Sequence, residues 1–271
     1  MTKTKRIQIL CLLGAVTLLL SGCWTEAPVE SANGLLGDQE PADQQEEVIL
    51  PAAFTLPYDP DQTLDPVTCA DGMQQVAGSL IYEGLFRLDR QLEPQPWLCQ
   101  SYTYDAASLT YTFTLRSGVT FSDGSPLTAA DAAATLRRAK SSQRYSARLA
   151  HVAAVSAGDG VVIVTLSRPD SSLPALLDIP IVKSGTEESL TPVGTGPYKV
   201  VESVPDQYVT MEATPDCFKG EPLIKYFIFK VTNAETRPNE MAAGDVDMGE
   251  VNSFRTENVK TYIDNQIPIA E

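Results

Sequence analysis

A single histidine, His151, stands in 271 residues. A hydrolytic triad needs a base that faces a nucleophile and is oriented by an acid, yet neither a G-x-S-x-G elbow nor a Cys/His grouping accompanies it. His151 reads instead as a structural or surface residue at the start of an apolar strand. Transition-metal sites draw on several His or Cys ligands, and five cysteines without a C-x-x-C pair do not supply them. Cys69, Cys99 and Cys217 lie far apart in the chain, and an oxidising compartment could join two of them in any of three pairings. No catalytic residue, metal site or cofactor is signalled.

Positive charge is also scarce, with 20 Lys and Arg against 35 Asp and Glu and a net charge of −15. Such a surface repels phosphate backbones, so nucleic acid is not an expected partner. The abundant carboxylates, Asp245 and Asp247 included, are not read as a pair for acid–base work. No apolar run is long enough to span a bilayer. Ile7 to Leu20, interrupted by Gln8, falls short of the roughly 20 residues required. Preceded by Lys3, Lys5 and Arg6, it is read as an export signal.

Directly after the signal comes a cysteine in a small-residue setting. Leu20-Ser21-Gly22-Cys23 resembles the lipobox of bacterial lipoproteins. The resemblance implies that Cys23 takes a diacylglyceryl thioether and becomes the mature N-terminus, its acyl chains holding the protein to the extracytoplasmic membrane face. From Trp24 to Glu47 there are seven acids and no Lys or Arg, among Pro, Gly, Gln and Ser. That composition cannot bury enough apolar surface to offset chain entropy. Three segments are therefore expected: a signal peptide over 1–22, an acidic disordered tether over 23–47, and a folded body over 48–271.

The folded body mixes helical and strand periodicity without a regular βαβ repeat. Met73, Val76, Ala77, Leu80, Ile81 and Leu85 predict an amphipathic helix over 72–86. Thr110 to Arg116 alternates as a half-buried strand, and the preceding Ser101 to Leu109 supplies its hairpin partner. In "FSDGSPLTAAD", Phe121 to Asp131, the Ser122-Asp123-Gly124 stretch is turn chemistry. Thr128 to Asp131 forms a capping box before a helix rich in alanine. Every polar residue there has a structural task. Two strands flank Gly158-Asp159-Gly160, and the apolar run Val161 to Leu166 predicts burial on both faces.

Beyond these, a short helix is expected over Asp170 to Asp178 and a loop over Ile179 to Pro192. Gly194-Thr195-Gly196-Pro197 lacks the Lys and following helix of a phosphate loop and reads as a turn. Strands are expected at Tyr198 to Glu202, Tyr208 to Ala213 and Ile224 to Val231. A helix at Ala234 to Ala242 and a last short strand at Val246 to Met248 complete the reading. The fold class is α/β of the mixed α+β kind.

In order along the chain, "LDP" (Leu64 to Pro66), "IYEGLFRLD" (Ile81 to Asp89), "YTFTLRSGVTFSDGSPLTAADAAATLRRA" (Tyr111 to Ala139), "VGTGPYKV" (Val193 to Val200) and "MAAGDVDMGEV" (Met241 to Val251) resemble the family 5 extracellular solute-binding proteins. Those are the oligopeptide, dipeptide and nickel receptors of ABC importers. The resemblance implies a type II lobe of the periplasmic-binding-protein kind, a peptide or other small solute as ligand, a permease as partner, and a monomer that is not an enzyme. Nickel, haem and sugar receptors share the same scaffold motifs. Family members run to roughly twice this length, so the expectation is a first lobe with the second largely missing. An alternative expectation is a non-transporting surface module made of that one lobe. By motif offset the resemblance places ligand contacts at Ala70, Asp71 and Gly72 after "LDP", at Tyr145 after the capped helix, and at Gly249, Glu250, Val251 and Asn252 after "GDVDM".

Overall fold

A computed structural model describes residues 52–59, 63–69, 72–215, 220, 222–233 and 235–249. In chain order these form β1 (Ala53–Tyr58), α1 (Met73–Ile81), β2 (Phe86–Leu88), β3 (Pro94–Pro96), β4 (Cys99–Asp105), β5 (Thr110–Leu115) and α2 (Ala129–Ser141). Then come β6 (Val152–Ala157), β7 (Val161–Leu166), α3 (Leu173–Leu176), β8 (Tyr198–Val204), β9 (Tyr208–Ala213), β10 (Tyr226–Val231) and α4 (Arg237–Ala243). One four-stranded sheet has the order β1-β10-β9-β8, with β1 parallel to β10 and the other pairs antiparallel. The other is antiparallel throughout in the order β4-β5-β7-β6, and β2 pairs with β3 as a separate hairpin.

Each sheet has its own core. Tyr111, Phe113 and Leu115 of β5 alternate inward as expected and meet Val162, Val164 and Leu166 of β7 beneath the alanine face of α2. Alanine allows that close approach of helix to sheet while keeping high helix propensity. The helix starts on the expected capping box: Asp131 N–H donates to Thr128 Oγ1 at 3.3 Å, and Thr128 N–H donates to Asp131 Oδ2 at 3.1 Å. The other core gathers Leu56 and Tyr58 of β1, Ala77 and Ile81 of α1, Tyr198, Val209, Met211 and Phe229.

Several expectations are corrected. The helix expected over 72–86 stops at Ile81, because Tyr82 is extended and Gly84 forms a bridge with Pro180. Its buried face is Gln74, Ala77, Gly78 and Ile81, while Val76 is 42% exposed. The expected stripe had merged two cores, since Ile81 packs into one and Leu85 into the other. The run Val161 to Leu166 is buried on one face only, with Val161, Ile163 and Thr165 partly exposed. The helix expected over Asp170 to Asp178 is a single turn, Leu173–Leu176. α4 begins later than expected, because the Asn233 carbonyl takes the N–H groups of Thr236 and Arg237 in a turn. Val246 to Met248 is not a strand. Asp247 N–H donates to Thr55 O at 2.9 Å and Thr55 N–H to Asp247 Oδ2 at 2.6 Å, a one-residue tie to β1 too short to form a ladder.

The "GTG" turn locks the two cores together. Gly196 N–H donates to the Ile81 carbonyl at 2.8 Å, and Ser122 N–H donates to the Gly194 carbonyl at 2.9 Å. A Cβ on Gly194 would stand 2.0 Å from the Ile81 carbonyl oxygen, so only glycine lets the turn lie against the end of α1.

Candidate functional site

The "LDP" turn connects β1 to α1, and its geometry is set by Asp65, which is only 4% exposed. Val67 N–H donates to Asp65 Oδ1 at 3.2 Å and Thr68 Oγ1 to Asp65 Oδ2 at 2.9 Å, while the Asp65 carbonyl takes the N–H groups of Thr68 and Cys69. A carboxylate buried this far requires a countercharge. Arg138, in the last turn of α2, provides it as an ion pair with Asp65.

Downstream of α2 the chain turns back toward the same loop. Ser142 caps the end of the helix by donating Oγ to the Ala139 carbonyl at 2.8 Å, and it accepts Tyr145 N–H at 3.1 Å. That places the buried Tyr145 ring beneath the turn, with its hydroxyl donating to the Pro66 carbonyl at 3.4 Å. Two guanidinium groups lie over the ring, Arg144 at 5.4 Å and Arg148 at 5.8 Å from its centroid. Such cation–π contacts hold each cation in place at little cost in hydration. Arg144 Nη1 donates to the Cys69 carbonyl at 3.4 Å. Arg148 donates to the Ala175 carbonyl and pairs with Asp178.

Between these groups lies an open depression of about 730 Å³ lined by Val67, Thr68, Cys69, Ser142, Gln143, Arg144, Tyr145 and Arg148. Among the described residues, none that lines it is acidic. The wider sequence explains the local sign: between Asp131 and Asp159 there are five Lys or Arg before His151 and no Asp or Glu. Burial pulls the Arg148 guanidinium down from its ordinary value, but a group of that basicity stays charged. Within an acidic chain, the described lining of this hollow carries two guanidinium groups.

The residues expected from the motifs divide accordingly. Tyr145 joins the "LDP" turn, as the floor of the hollow with its hydroxyl already engaged. Gly72 is exposed at the start of α1 with a φ of 105°, and its carbonyl accepts the N–H groups of Gln75 and Val76. Gly249 packs on α4 instead, where a Cβ would meet Met241 Sδ at 3.0 Å and Arg237 Cδ at 3.2 Å. Ala70, Asp71, Glu250, Val251, Asn252 and Cys23, the expected lipid acceptor, lie outside the described residues.

Arg144 and Arg148 were not singled out from the motifs, although the run without acids around them was a readable signal. His151 accepts a hydrogen bond from Arg168 and faces no nucleophile among the described residues. Cys99 is buried, donates its thiol to the Ser101 carbonyl at 3.2 Å, and is pushed up to about 11 by burial. It takes no part in a disulfide.

A family model described as bacterial extracellular solute-binding proteins, family 5, matches residues 93–268. Among curated relatives, the glutathione-binding protein GsiB of Escherichia coli K12 is 34% identical over 151 residues, which cover 51% of this chain and 30% of the relative. Its counterpart in Salmonella paratyphi A has the same identity and coverage. Among solved structures, the binding protein MoaA from A. tumefaciens R10, in complex with mannopinic acid, superposes with a TM-score of 0.69 at 26% identity, over 79% of this chain and 47% of that one. The oligopeptide-binding protein AppA of Bacillus subtilis, with a nonapeptide, shares the fold with a TM-score of 0.64 at 23% identity, over 78% and 46%. The chain thus spans about half the length of these structures and less than a third of the curated relatives.

Proposed function

The chain belongs to family 5 of the bacterial extracellular solute-binding proteins, and from that premise we propose that it captures a small acidic solute, foremost a short peptide, for delivery to the permease of an ABC importer. The observation that carries this reading is the hollow beside the "LDP" turn, where Arg144 and Arg148 flank the Tyr145 ring. Glutathione and mannopinic acid, the ligands in the names of two relatives, are both small acids.

Net charge argues the other way, since a chain of −15 repels an anion. Magnitudes decide between the two. Repulsion from distant surface carboxylates is screened beyond about 10 Å, whereas a charge-assisted hydrogen bond inside a hollow contributes about 1.5–3 kcal/mol. Arg148 is committed to Asp178 and Ala175. Arg144 lies on the lining of the hollow beside the Tyr145 ring and is the group assigned to the ligand carboxylate.

Ala70, Asp71 and Gly72 with Gly249, Glu250, Val251 and Asn252 are proposed to hydrogen-bond the main chain of an extended ligand, a mode that tolerates many side chains. Closure of a second lobe of the family kind would exclude water and strengthen the carboxylate pairing. No ligand bond is broken. Cys23 is proposed to carry the lipid that keeps the protein at the outer membrane face. Calorimetric titration with mixed short peptides tests the reading. Saturable heat at micromolar ligand supports capture, and none at millimolar ligand leaves the non-transporting module in its place.

A further inference from the structure

The second sheet ends on two edges of opposite character. On β6 the carbonyls of Ala153 and Val155 take hydrogen bonds from Lys140 Nζ at 2.8 Å and Arg137 Nη1 at 3.2 Å. Long cationic side chains reaching over a strand close it to further pairing. β4 forms the other edge. Among the described residues no strand pairs with its outer side, and Gln100 to Asp105 are all exposed. The strand contains no Lys, Arg or Pro, and its first charge is Asp105. An uncharged edge is unusual on a chain this acidic, and it removes the main barrier to approach by a like molecule.

The exposed side chains of β4 also carry a defined surface. Tyr102 and Tyr104 are 43% and 38% exposed. The Tyr102 ring lies 5.6 Å from Phe86 and 5.7 Å from Phe113, and the Tyr104 ring 4.4 Å from Tyr111. The core is thereby extended past the last strand as an aromatic ledge. Because neighbouring rings already fix these tyrosines, docking onto them costs little side-chain entropy.

The order Ser101-Tyr102-Thr103-Tyr104-Asp105 is symmetric in character about Thr103. We propose that β4 pairs antiparallel with β4 of a second copy about a two-fold axis at Thr103, joining two four-stranded sheets into one. In this register Tyr102 faces the partner's Tyr104, Thr103 faces the partner's Thr103, and Ser101 faces the partner's Asp105. Aromatic pairs and Thr–Thr pairs are favourable cross-strand neighbours, and the acid meets a hydroxyl, not another acid. Within this sheet, and among the described residues, a two-fold contact consumes both open edges and leaves the closed β6 edges outside, so this mode of pairing ends at the dimer. The monomer expected from the family resemblance is then the dilute state.

Sedimentation equilibrium of the full chain, over about 1–100 μM, tests this together with Thr103→Lys and Thr103→Glu. Thr103 is exposed, so circular dichroism of both variants should match the native chain. Each variant alone sets like charges against each other at the axis and should raise the dimer dissociation constant about tenfold or more. An equimolar mixture of the two should restore dimers. A native chain that stays monomeric throughout, a Thr103→Lys variant that associates as the native chain does, or a mixture that remains monomeric overturns the proposal.

Discussion

Gly196 presses on the end of α1: its N–H donates to the Ile81 carbonyl at 2.8 Å, and a Cβ at that position would stand 2.4 Å from the Leu80 carbonyl oxygen. Backbone cannot yield as a flexible side chain can, so Gly196→Ala should cost about 3 kcal/mol or more. Gly78, inside α1, is the control. A Cβ there meets only the Tyr82 ring at 3.9 Å, so Gly78→Ala should stabilise by about 0.5–1 kcal/mol through helix propensity. Urea unfolding monitored by circular dichroism reads both. Equal effects would show that α1 and the "GTG" turn are not in contact.

The Asp65–Arg138 pair holds the turn that borders the hollow. Removing Arg138 leaves a carboxylate only 4% exposed without its countercharge. Arg138→Met should therefore destabilise the chain strongly when Asp65 is present and weakly in an Asp65→Asn background. A double-mutant cycle should return a coupling of about 1–3 kcal/mol. Additive effects would contradict the ion pair.

How much of this was legible in the sequence depends on the range of the interaction. The capping box at Thr128, the hairpin of β4 and β5 and the turn at Asp123 are decided by neighbours a few residues apart, and all were readable. The stripe from Met73 to Leu85 misled because periodicity records apolar spacing but not which core each residue enters. β1 was not anticipated as a strand, since Pro57 interrupts it and it is completed by pairing with β10, far along the chain. The hollow was half legible. The motifs pointed to Tyr145, whereas Arg144 and Arg148 gain meaning only where the chain after α2 folds back onto the "LDP" turn.

Leu92 sits at the tip of the β2–β3 hairpin with a φ of 64° and is 71% exposed. The left-handed region costs a leucine about 1–2 kcal/mol, and asparagine visits it more readily. Leu92→Asn should raise stability by about 0.5–1 kcal/mol, seen as a higher melting temperature. A fall would mean that the leucine side chain makes a stabilising contact.

Acid should weaken the link between the Asp123 turn and the loop that carries Lys183. A hydrogen bond from Lys183, aided by Ser125, pulls the Asp123 carboxyl down from 3.8 to about 2. A carboxyl held low in the folded state contributes stability that is full above 3.8 and is lost as pH falls through about 2. Both partners are partly exposed, so the effect is modest. The difference in melting temperature between the native chain and Asp123→Asn should be constant near neutral pH and narrow between about pH 4 and 2. A difference that persists undiminished at the acid end would contradict the pairing.

The most direct test of the proposed solute capture compares a short acidic peptide with its carboxylate-esterified form in calorimetric titrations of the native chain and of Arg144→Met, which removes the guanidinium beside Tyr145. The proposed capture predicts saturable binding of the acidic peptide, weakened about tenfold or more both by esterification and by Arg144→Met. Equal affinity for the acid and its ester, unchanged by the substitution, would contradict carboxylate recognition in the hollow beside the "LDP" turn.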